Sequence, residues 1–180
     1  DGVPFLMHDA DLRRTTDGSV IGGEQAWQRL SQLDAGSWHS RRYAGEGLPC
    51  LENIARFCRH NGHLLNIEIK PTPGIERHTG EVVARHAARL WANAAIAPLM
   101  TSFDIAALEG AQATAPALPR GLLLDKARAD WLDTARQLAC VAVVCHYSLW
   151  DTDTVAAAHG AGLRCLSYTV NDEWIAHRLN

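Results

Sequence analysis

The chain has 180 residues, of which 47% are hydrophobic and 21% charged, so it can fill and cover the core of one domain and is not expected to be disordered. Its formal net charge is −3, which provides no general basic excess for nucleic acid; an anionic ligand would have to be held by a few local cations or a metal. No apolar run approaches the roughly 18 residues of a membrane span. We therefore expect one domain, spanning residues 1–180, that acts on a small molecule, with no nucleic-acid partner and no membrane span.

The cysteines and the N-terminus indicate where such a domain would work. Five cysteines are an odd number, and none forms a Cys-x-x-Cys pair, so neither a disulfide framework nor a zinc ribbon is indicated. A reducing, cytoplasmic location is expected. The chain opens on the turn dipeptide Asp1-Gly2, without an initiator Met or a signal peptide. We expect a segment that is cut at both ends.

The first third of the chain predicts few regular elements. The apolar run from Val3 to His8 predicts a strand that ends in His8 and Asp9. Turn signals then dominate residues 10–50, which hold one short predicted helix, Glu24 to Leu33, and are expected to form an irregular insertion. A helix is predicted for Leu51 to His60, where apolar residues fall at helical spacing.

Strands and helices alternate in the rest of the chain. The predicted strands are Leu64 to Lys70, Ala97 to Phe103, Gly121 to Leu124, Cys140 to Cys145 and Arg164 to Val170. The predicted helices are Glu81 to Trp91, Ile105 to Thr114, Ala129 to Leu138, Asp153 to His159 and Asp172 to Leu179. This alternation indicates an α/β fold with parallel strands. About six strands are too few to close an eight-stranded barrel, so the pattern leaves open a doubly wound sheet or a barrel with strands missing.

Asn66-Ile67-Glu68-Ile69-Lys70 is the strongest local signal for chemistry. Side chains alternate along a strand, so Glu68 and Lys70 share one face and the two isoleucines share the other. In a barrel, polar side chains at the carboxyl end of a strand lie where active sites form. A salt bridge with no further role is an equally good interpretation of this pattern, because buried charges are seldom kept without a partner.

Weaker signals lie at other predicted strand ends. His8 could exchange a proton near neutral pH, and Ser102, Phe103 and Tyr168 could offer a hydroxyl or an aromatic wall to a ligand. Each is also compatible with an ordinary strand end. The pair Arg13-Arg14 could bind phosphate, although an exposed loop is the simpler interpretation.

Taken in order, these motifs resemble the glycerophosphodiester phosphodiesterase family, most closely its cytosolic bacterial members. The resemblance covers essentially all 180 residues and rests on residues 1–9 (DGVPFLMHD), 12–16 (LRRTT), 33–38 (LDAGSW), 66–70 (NIEIK) and 169–171 (TVN). Several ordered motifs are far more specific than any one of them.

The resemblance implies a TIM (β/α)8 barrel that is incomplete here, with its first and last strands missing. It assigns His8 as a general acid/base, Glu68 as a metal-ligand carboxylate and Lys70 as a cation on the phosphate. It makes Lys70 a catalytic residue as well, and it makes Lys70, Ser102, Phe103 and Tyr168 candidate substrate-binding residues. A second catalytic histidine, a phosphate-binding arginine and two more metal-binding carboxylates would belong to the missing segments.

The implied reaction is hydrolysis of a glycerophosphodiester to glycerol 3-phosphate and an alcohol, with Mg²⁺ or Ca²⁺ as cofactor. Two alternatives remain open. One is a phospholipase D-like lyase of the same superfamily, which would release a cyclic phosphate. The other is a non-catalytic fragment that binds a ligand or nothing at all. The sequence gives no indication of an oligomeric state.

Overall fold

Five parallel strands form a single sheet in the computed structural model, which describes residues 1–179. The strands are β1 (Asn66–Glu68), β2 (Leu99–Ser102), β3 (Arg120–Leu124), β4 (Ala142–His146) and β5 (Arg164–Tyr168). They lie side by side in chain order, each paired in parallel with the next. A doubly wound sheet reverses its strand order at a switch point. The uninterrupted order is that of a barrel wall, so the described residues form part of a (β/α) barrel, as predicted.

A helix connects each pair of neighbouring strands and covers one face of the sheet. The helices are α1 (Trp27–Leu30), α2 (Leu51–His60), α3 (Glu76–Leu90), α4 (Ile105–Thr114), α5 (Trp131–Gln137), α6 (Thr152–Gly160) and α7 (Glu173–Leu179). The main core lies between strands and helices, where Leu122 and Val143 of the sheet pack with Leu108, Ala135 and Ala158 of α4, α5 and α6. Burial of these apolar side chains is the main source of stability here.

The strand register separates the residues of the helix side from those of the inner side. Ser102 is paired with Leu122, which is paired with Val143, and this row lies in the helix-covered core. Glu68 is paired with Thr101, one position earlier along β2, so both belong to the opposite, inner row. Because successive side chains alternate between faces, the inner row is the one that would line the barrel.

Helices α3 and α4 approach each other closely through two glycines. A Cβ atom on Gly80 of α3 would lie 1.9 Å from the carbonyl oxygen of Ala107, and one on Gly110 of α4 would lie 2.1 Å from that of Arg77. Any side chain at either position would collide with backbone. The missing Cβ atoms therefore allow the two helices that cover β1 and β2 to pack backbone against backbone.

The predicted strand from Val3 to His8 is wrong. Phe5 forms one isolated antiparallel bridge with Cys50, and the neighbouring hydrogen bonds join Leu6 N to Pro49 O at 2.8 Å and Leu51 N to Pro4 O at 2.9 Å. A strand needs a continuous ladder, and a proline has no N–H to donate to one. His8 and Asp9 consequently lie in a bend after an extended segment.

Short turns and bridges make up residues 10–50, around a small core of Leu12, Leu30 and Leu48. The predicted helix from Glu24 to Leu33 is reduced to a 3₁₀ turn at Gly22–Glu24 and the four residues of α1. Asp34 organises the second half of this stretch. Its carboxylate accepts hydrogen bonds from the N–H groups of Gly36, Ser37 and Gly45 and from the Ser37 hydroxyl, at 2.7–2.9 Å. These bonds, led by the Ser37 hydroxyl, hold the pKa of Asp34 well below its usual range.

Most other elements lie within a few residues of their predicted bounds. The largest shift is at α3, which begins at Glu76 and not at Glu81. Its first turn carries Glu76, Arg77 and His78, and so gives no apolar periodicity to the sequence. No helix in residues 1–179 has the length and apolarity needed to cross a bilayer.

Candidate active site

His8, Glu68 and Lys70 meet at the carboxyl end of β1, although 62 positions separate His8 from Lys70. The Lys70 ammonium donates a hydrogen bond to the main-chain carbonyl oxygen of His8 at 2.8 Å. The same ammonium lies 3.7 Å from Glu68 Oε1, which is an ion pair but is too long for a hydrogen bond. Both side chains remain accessible, with 39% of Lys70 and 36% of Glu68 exposed. The side chains of Glu68 and Lys70 therefore form an open, polar group with the main chain of His8.

The imidazole of His8 is held by a neighbouring carboxylate. Its Nδ1 lies 2.7 Å from Asp9 Oδ1, while 77% of the side chain remains exposed. Arg14 donates to both oxygens of Asp9, from Nη2 to Oδ1 at 3.1 Å and from Nε to Oδ2. The hydrogen bond from Arg14, followed by that from His8, holds the pKa of the Asp9 carboxyl well below its usual range.

Aromatic rings line the same end of the sheet. Phe103, which follows β2, packs edge-on against Tyr168 at the end of β5, with ring centroids 5.9 Å apart. The Tyr168 hydroxyl donates to the carbonyl oxygen of Leu124 at 2.8 Å, and burial raises the pKa of this phenol. The structure thus brings together Phe103 and Tyr168, two of the four predicted substrate-binding residues.

His146 joins this aromatic group and was not singled out from the sequence. It is the last residue of β4, it is paired with Tyr168 of β5, and its ring centroid lies 6.2 Å from that of Tyr168. Its Nδ1 lies 2.8 Å from the Ser148 hydroxyl. Its position at a strand end, where polar residues converge in a barrel, was the available signal.

Ser102 lies apart from this group. Its side chain is fully buried on the helix side of the sheet, whereas its neighbour Phe103 is 41% exposed. The Ser102 hydroxyl donates to the carbonyl oxygen of Ile69 at 2.7 Å and accepts from the N–H of Asp104 at 3.1 Å. These contacts tie β2 to the end of β1 and give the residue a structural role.

The guanidinium groups of Arg13 and Arg14 are both hydrogen-bonded to carboxylates. Arg13 donates two hydrogen bonds to Asp11 at 2.6 and 2.9 Å from Nη2 and Nε, and Arg14 is bound to Asp9. Both guanidinium groups are largely exposed. This arrangement fits the exposed-loop interpretation better than the phosphate-binding one.

A metal site is only partly represented. Glu68 offers the hard oxygen ligand that Mg²⁺ and Ca²⁺ prefer. Within residues 1–179, however, no three His, Cys, Asp or Glu side chains converge in a way that could hold a metal ion. The donor chemistry of Glu68 fits such an ion, and the number of ligands here does not complete its coordination.

A comparison with family models decides to which family this arrangement belongs. The model described as the glycerophosphoryl diester phosphodiesterase family matches residues 1–180. The chain is a member of that family. The family is one of enzymes, and the resemblance stated from the sequence motifs is confirmed.

Known members of the family are longer than this chain. A glycerophosphodiester phosphodiesterase of Bacillus subtilis is 28% identical over 193 residues, which cover 99% of this chain and 66% of that protein. One from Caldanaerobacter subterraneus is 29% identical over 127 residues, covering 68% of this chain and 50% of that protein. The chain thus spans about half to two thirds of these relatives.

Solved structures of the family share the fold. A phosphodiesterase of Oleispira antarctica, in complex with the product sn-glycerol-3-phosphate, matches with a TM-score of 0.89 and 31% identity, over 99% of this chain and 72% of that one. A glycerophosphodiester phosphodiesterase of Agrobacterium tumefaciens matches with a TM-score of 0.78 and 24% identity, over 98% and 73%. The five-stranded wall is therefore part of the barrel that these enzymes share.

Proposed function

We propose that this chain carries part of the active site of an enzyme that hydrolyses glycerophosphodiesters to glycerol 3-phosphate and an alcohol. The observation that carries the proposal is that Glu68 and Lys70 lie together at the carboxyl end of β1 and that Lys70 binds the main chain of His8 there. An imidazole, a carboxylate and an ammonium are the groups needed to move a proton, bind a cation and bind a phosphodiester. The bound product of the Oleispira relative supports the choice of substrate class.

Lys70 binds the phosphate in this proposal. An ammonium has three N–H donors, and one of them is used on the carbonyl oxygen of His8. The other two are available to the anionic oxygens of a phosphodiester. The hydrogen bond to His8 fixes where the ammonium stands, so little rearrangement is needed as negative charge accumulates on the phosphoryl oxygens.

His8 moves the proton. An oxygen nucleophile forms a new bond to phosphorus while the bond from phosphorus to the alcohol oxygen breaks. Because Nδ1 faces Asp9, Nε2 is the ring atom left for the substrate. In the imidazolium form of His8, Nε2 carries the proton that passes to the leaving alkoxide, and the ring is left neutral with its remaining proton on Nδ1. The proton of the nucleophile passes to the second catalytic histidine that the family resemblance implies. Such a proton transfer contributes about 10²- to 10⁴-fold to the rate.

Glu68 is proposed as one ligand of a divalent cation, Mg²⁺ or Ca²⁺. When bound, such an ion would supply positive charge next to the phosphoryl oxygens. Mg²⁺ in particular keeps several waters and is often held by one or two carboxylates together with substrate phosphates. The accessible carboxylate of Glu68, next to the Lys70 ammonium that is proposed to bind the phosphate, is a ligand of that type.

Phe103 and Tyr168 are proposed to form the wall against which the substrate lies. Their edge-on contact and the hydrogen bond from Tyr168 to Leu124 hold both rings at the end of the sheet. Apolar walls with a few fixed polar groups are typical of small-molecule sites.

The test is release of glycerol 3-phosphate from glycerophosphocholine by the full-length protein and its Glu68→Gln and His8→Ala variants. Each is expected to lose at least about 10²-fold in kcat. Glu109→Gln, which removes a carboxylate from the outer surface of α4, is the matched control and should retain activity. If Glu68→Gln retained most of its activity, the assignment of Glu68 as a metal ligand would be wrong.

The products separate the alternatives to hydrolysis. Phosphorus NMR should show glycerol 3-phosphate as the phosphorus-containing product. A cyclic phosphate would identify a lyase instead. A full-length protein that leaves glycerophosphodiesters intact with Mg²⁺ and with Ca²⁺ would support a non-catalytic role.

A further inference from the structure

We propose that Asp9 and Arg14 are positioning residues that hold His8 in the tautomer with its proton on Nδ1, so that Nε2 is the ring atom that exchanges protons. The part of this proposal that concerns catalysis rests on the proposed function of His8. The part that concerns the tautomer does not, and it can be measured by itself.

The tautomer follows from the donor and acceptor roles of the pair. Asp9 Oδ1 lies 2.7 Å from His8 Nδ1. An ionised carboxylate can only accept hydrogen bonds, so Nδ1 must be the donor. In the neutral ring the second nitrogen, Nε2, then has no proton and presents a lone pair. In a histidine side chain without such a partner, no neighbouring group selects this tautomer.

Arg14 keeps Asp9 in the ionised form on which this tautomer depends. Its guanidinium donates to both oxygens of Asp9, and this pairing lowers the pKa of the carboxyl more than any other contact. Asp9 is therefore a carboxylate across the ordinary pH range. The two-pronged contact also fixes the plane of the carboxylate, and with it the direction in which the Nδ1–H bond must point.

The remaining contacts hold the backbone of His8 in place. Lys70 donates to its main-chain carbonyl oxygen at 2.8 Å, and Glu68 lies 3.7 Å beyond that ammonium. Asp9 and Arg14 thus lie on the ring side of His8, and Lys70 with Glu68 lies on its backbone side. His8 lies in a bend and not in a strand, so these contacts supply the order that a strand would have given.

Replacing Asp9 by asparagine should invert the tautomer because Arg14 has donors only. The new side-chain amide would have to turn its carbonyl oxygen towards Arg14, which leaves its NH₂ group facing His8 Nδ1. That nitrogen must then accept, and the proton moves to Nε2. Removing the guanidinium in an Asp9→Asn/Arg14→Ala double variant frees the amide to rotate, so its oxygen can again accept from Nδ1–H.

The first experiment reads the tautomer by long-range ¹H–¹⁵N NMR of the neutral imidazole in the full-length protein. We expect at least about a tenfold excess of the Nδ1–H form in the wild type, as a charge-assisted hydrogen bond implies. An excess of the Nε2–H form is expected in Asp9→Asn, with a return towards Nδ1–H in the double variant. Signals of the other histidines should stay unchanged and so report that the fold is intact. A wild-type ring in the Nε2–H form, or no change in Asp9→Asn, would overturn the proposal.

The second experiment measures kcat and KM with a glycerophosphodiester. Asp9→Asn should lower kcat about 10- to 100-fold with little change in KM, the scale at which groups that orient active-site ligands act. The double variant should recover part of that loss. A merely structural Asp9–Arg14 pair predicts a double variant that is no better than the single one, and that result would overturn the positioning role. A tautomer inverted without loss of kcat would instead overturn the catalytic role of His8.

Discussion

The Lys70 ammonium is hydrogen-bonded to the main-chain carbonyl oxygen of His8. This one contact joins the end of β1 to an N-terminal segment that has no strand of its own. The ammonium therefore has two tasks in the proposed site, since it would bind phosphate and it also fixes the position of the proposed acid/base.

Replacing Lys70 by methionine should accordingly affect both tasks. We expect kcat for glycerophosphodiester hydrolysis to fall about 10²- to 10³-fold, the usual effect of losing a group that stabilises developing charge. Arg85→Met, which removes a cation from α3, is the control and should be close to wild type. Equal activities of the two variants would exclude Lys70 from the site.

Substitution of Ser102 should change the stability of the protein, whereas substitution of its neighbour Phe103 should change substrate binding. Ser102→Ala leaves the Ile69 carbonyl and the Asp104 N–H without their buried partner, so the free energy of unfolding should fall by about 1–3 kcal/mol with KM unchanged. Phe103→Ala removes a half-exposed ring, so KM should rise about 2- to 10-fold, from the roughly 0.5–1.5 kcal/mol of an aromatic contact. Urea unfolding and steady-state kinetics measure the two quantities. A raised KM in Ser102→Ala would return that residue to the binding site.

The close contact of α3 with α4 gives a prediction about stability alone. Gly80→Ala puts a Cβ against the Ala107 carbonyl oxygen and should lower the free energy of unfolding by about 1–3 kcal/mol. Gly160→Ala in α6 is the matched control, because a Cβ there meets nothing within 4 Å. It should stabilise by about 0.4–1 kcal/mol, since alanine leaves the unfolded chain less freedom. Urea unfolding of both variants tests the pair, and a stable Gly80→Ala would contradict the observed packing.

Asp34 should make the free energy of unfolding of the chain depend on pH in the acid range. Its pKa is lowered in the folded state, so its contribution is present above the ordinary value near 3.8 and is lost as the pH falls towards the folded-state value. Asp34→Asn should be less stable than the wild type at pH 6. The difference should shrink at about pH 3, where the Asp34 carboxyl of the unfolded wild-type chain is mostly protonated while that of the folded chain is still ionised. A constant difference at both pH values would mean that charge is not the reason for its stabilising role.

Much of the fold could be predicted because its determinants are local or periodic. Pro71 and Pro73 end the β1 segment, apolar runs mark β3 and β4, and the alternation of strands and helices fixes their parallel pairing. The choice between a barrel wall and a doubly wound sheet could not be made from such signals. It depends on which strands are neighbours, a long-range property that strand-length patterns do not encode.

The site was less predictable where it depends on tertiary contacts. Glu68 and Lys70 could be placed on one face from the period of a strand alone. The segment around His8 was misassigned because an extended apolar run resembles a strand whether or not a partner exists to pair with it. The burial of Ser102 and the position of His146 beside Tyr168 could not be predicted for one shared reason, since which face a strand-end residue occupies depends on the register with neighbouring strands.

The pleat that separates Ser102 from Phe103 has a consequence for how the protein can evolve. The two adjacent residues contact different parts of the structure. Ser102 contacts the end of β1 beneath the helices, and Phe103 contacts Tyr168 on the inner face of the sheet. If Phe103 contacts the substrate as proposed, we expect substitutions at position 103 to change substrate preference with little effect on folding. A change at position 102 would have to be matched by changes at Ile69 or Asp104, so we expect specificity to drift at one site while its neighbour stays fixed.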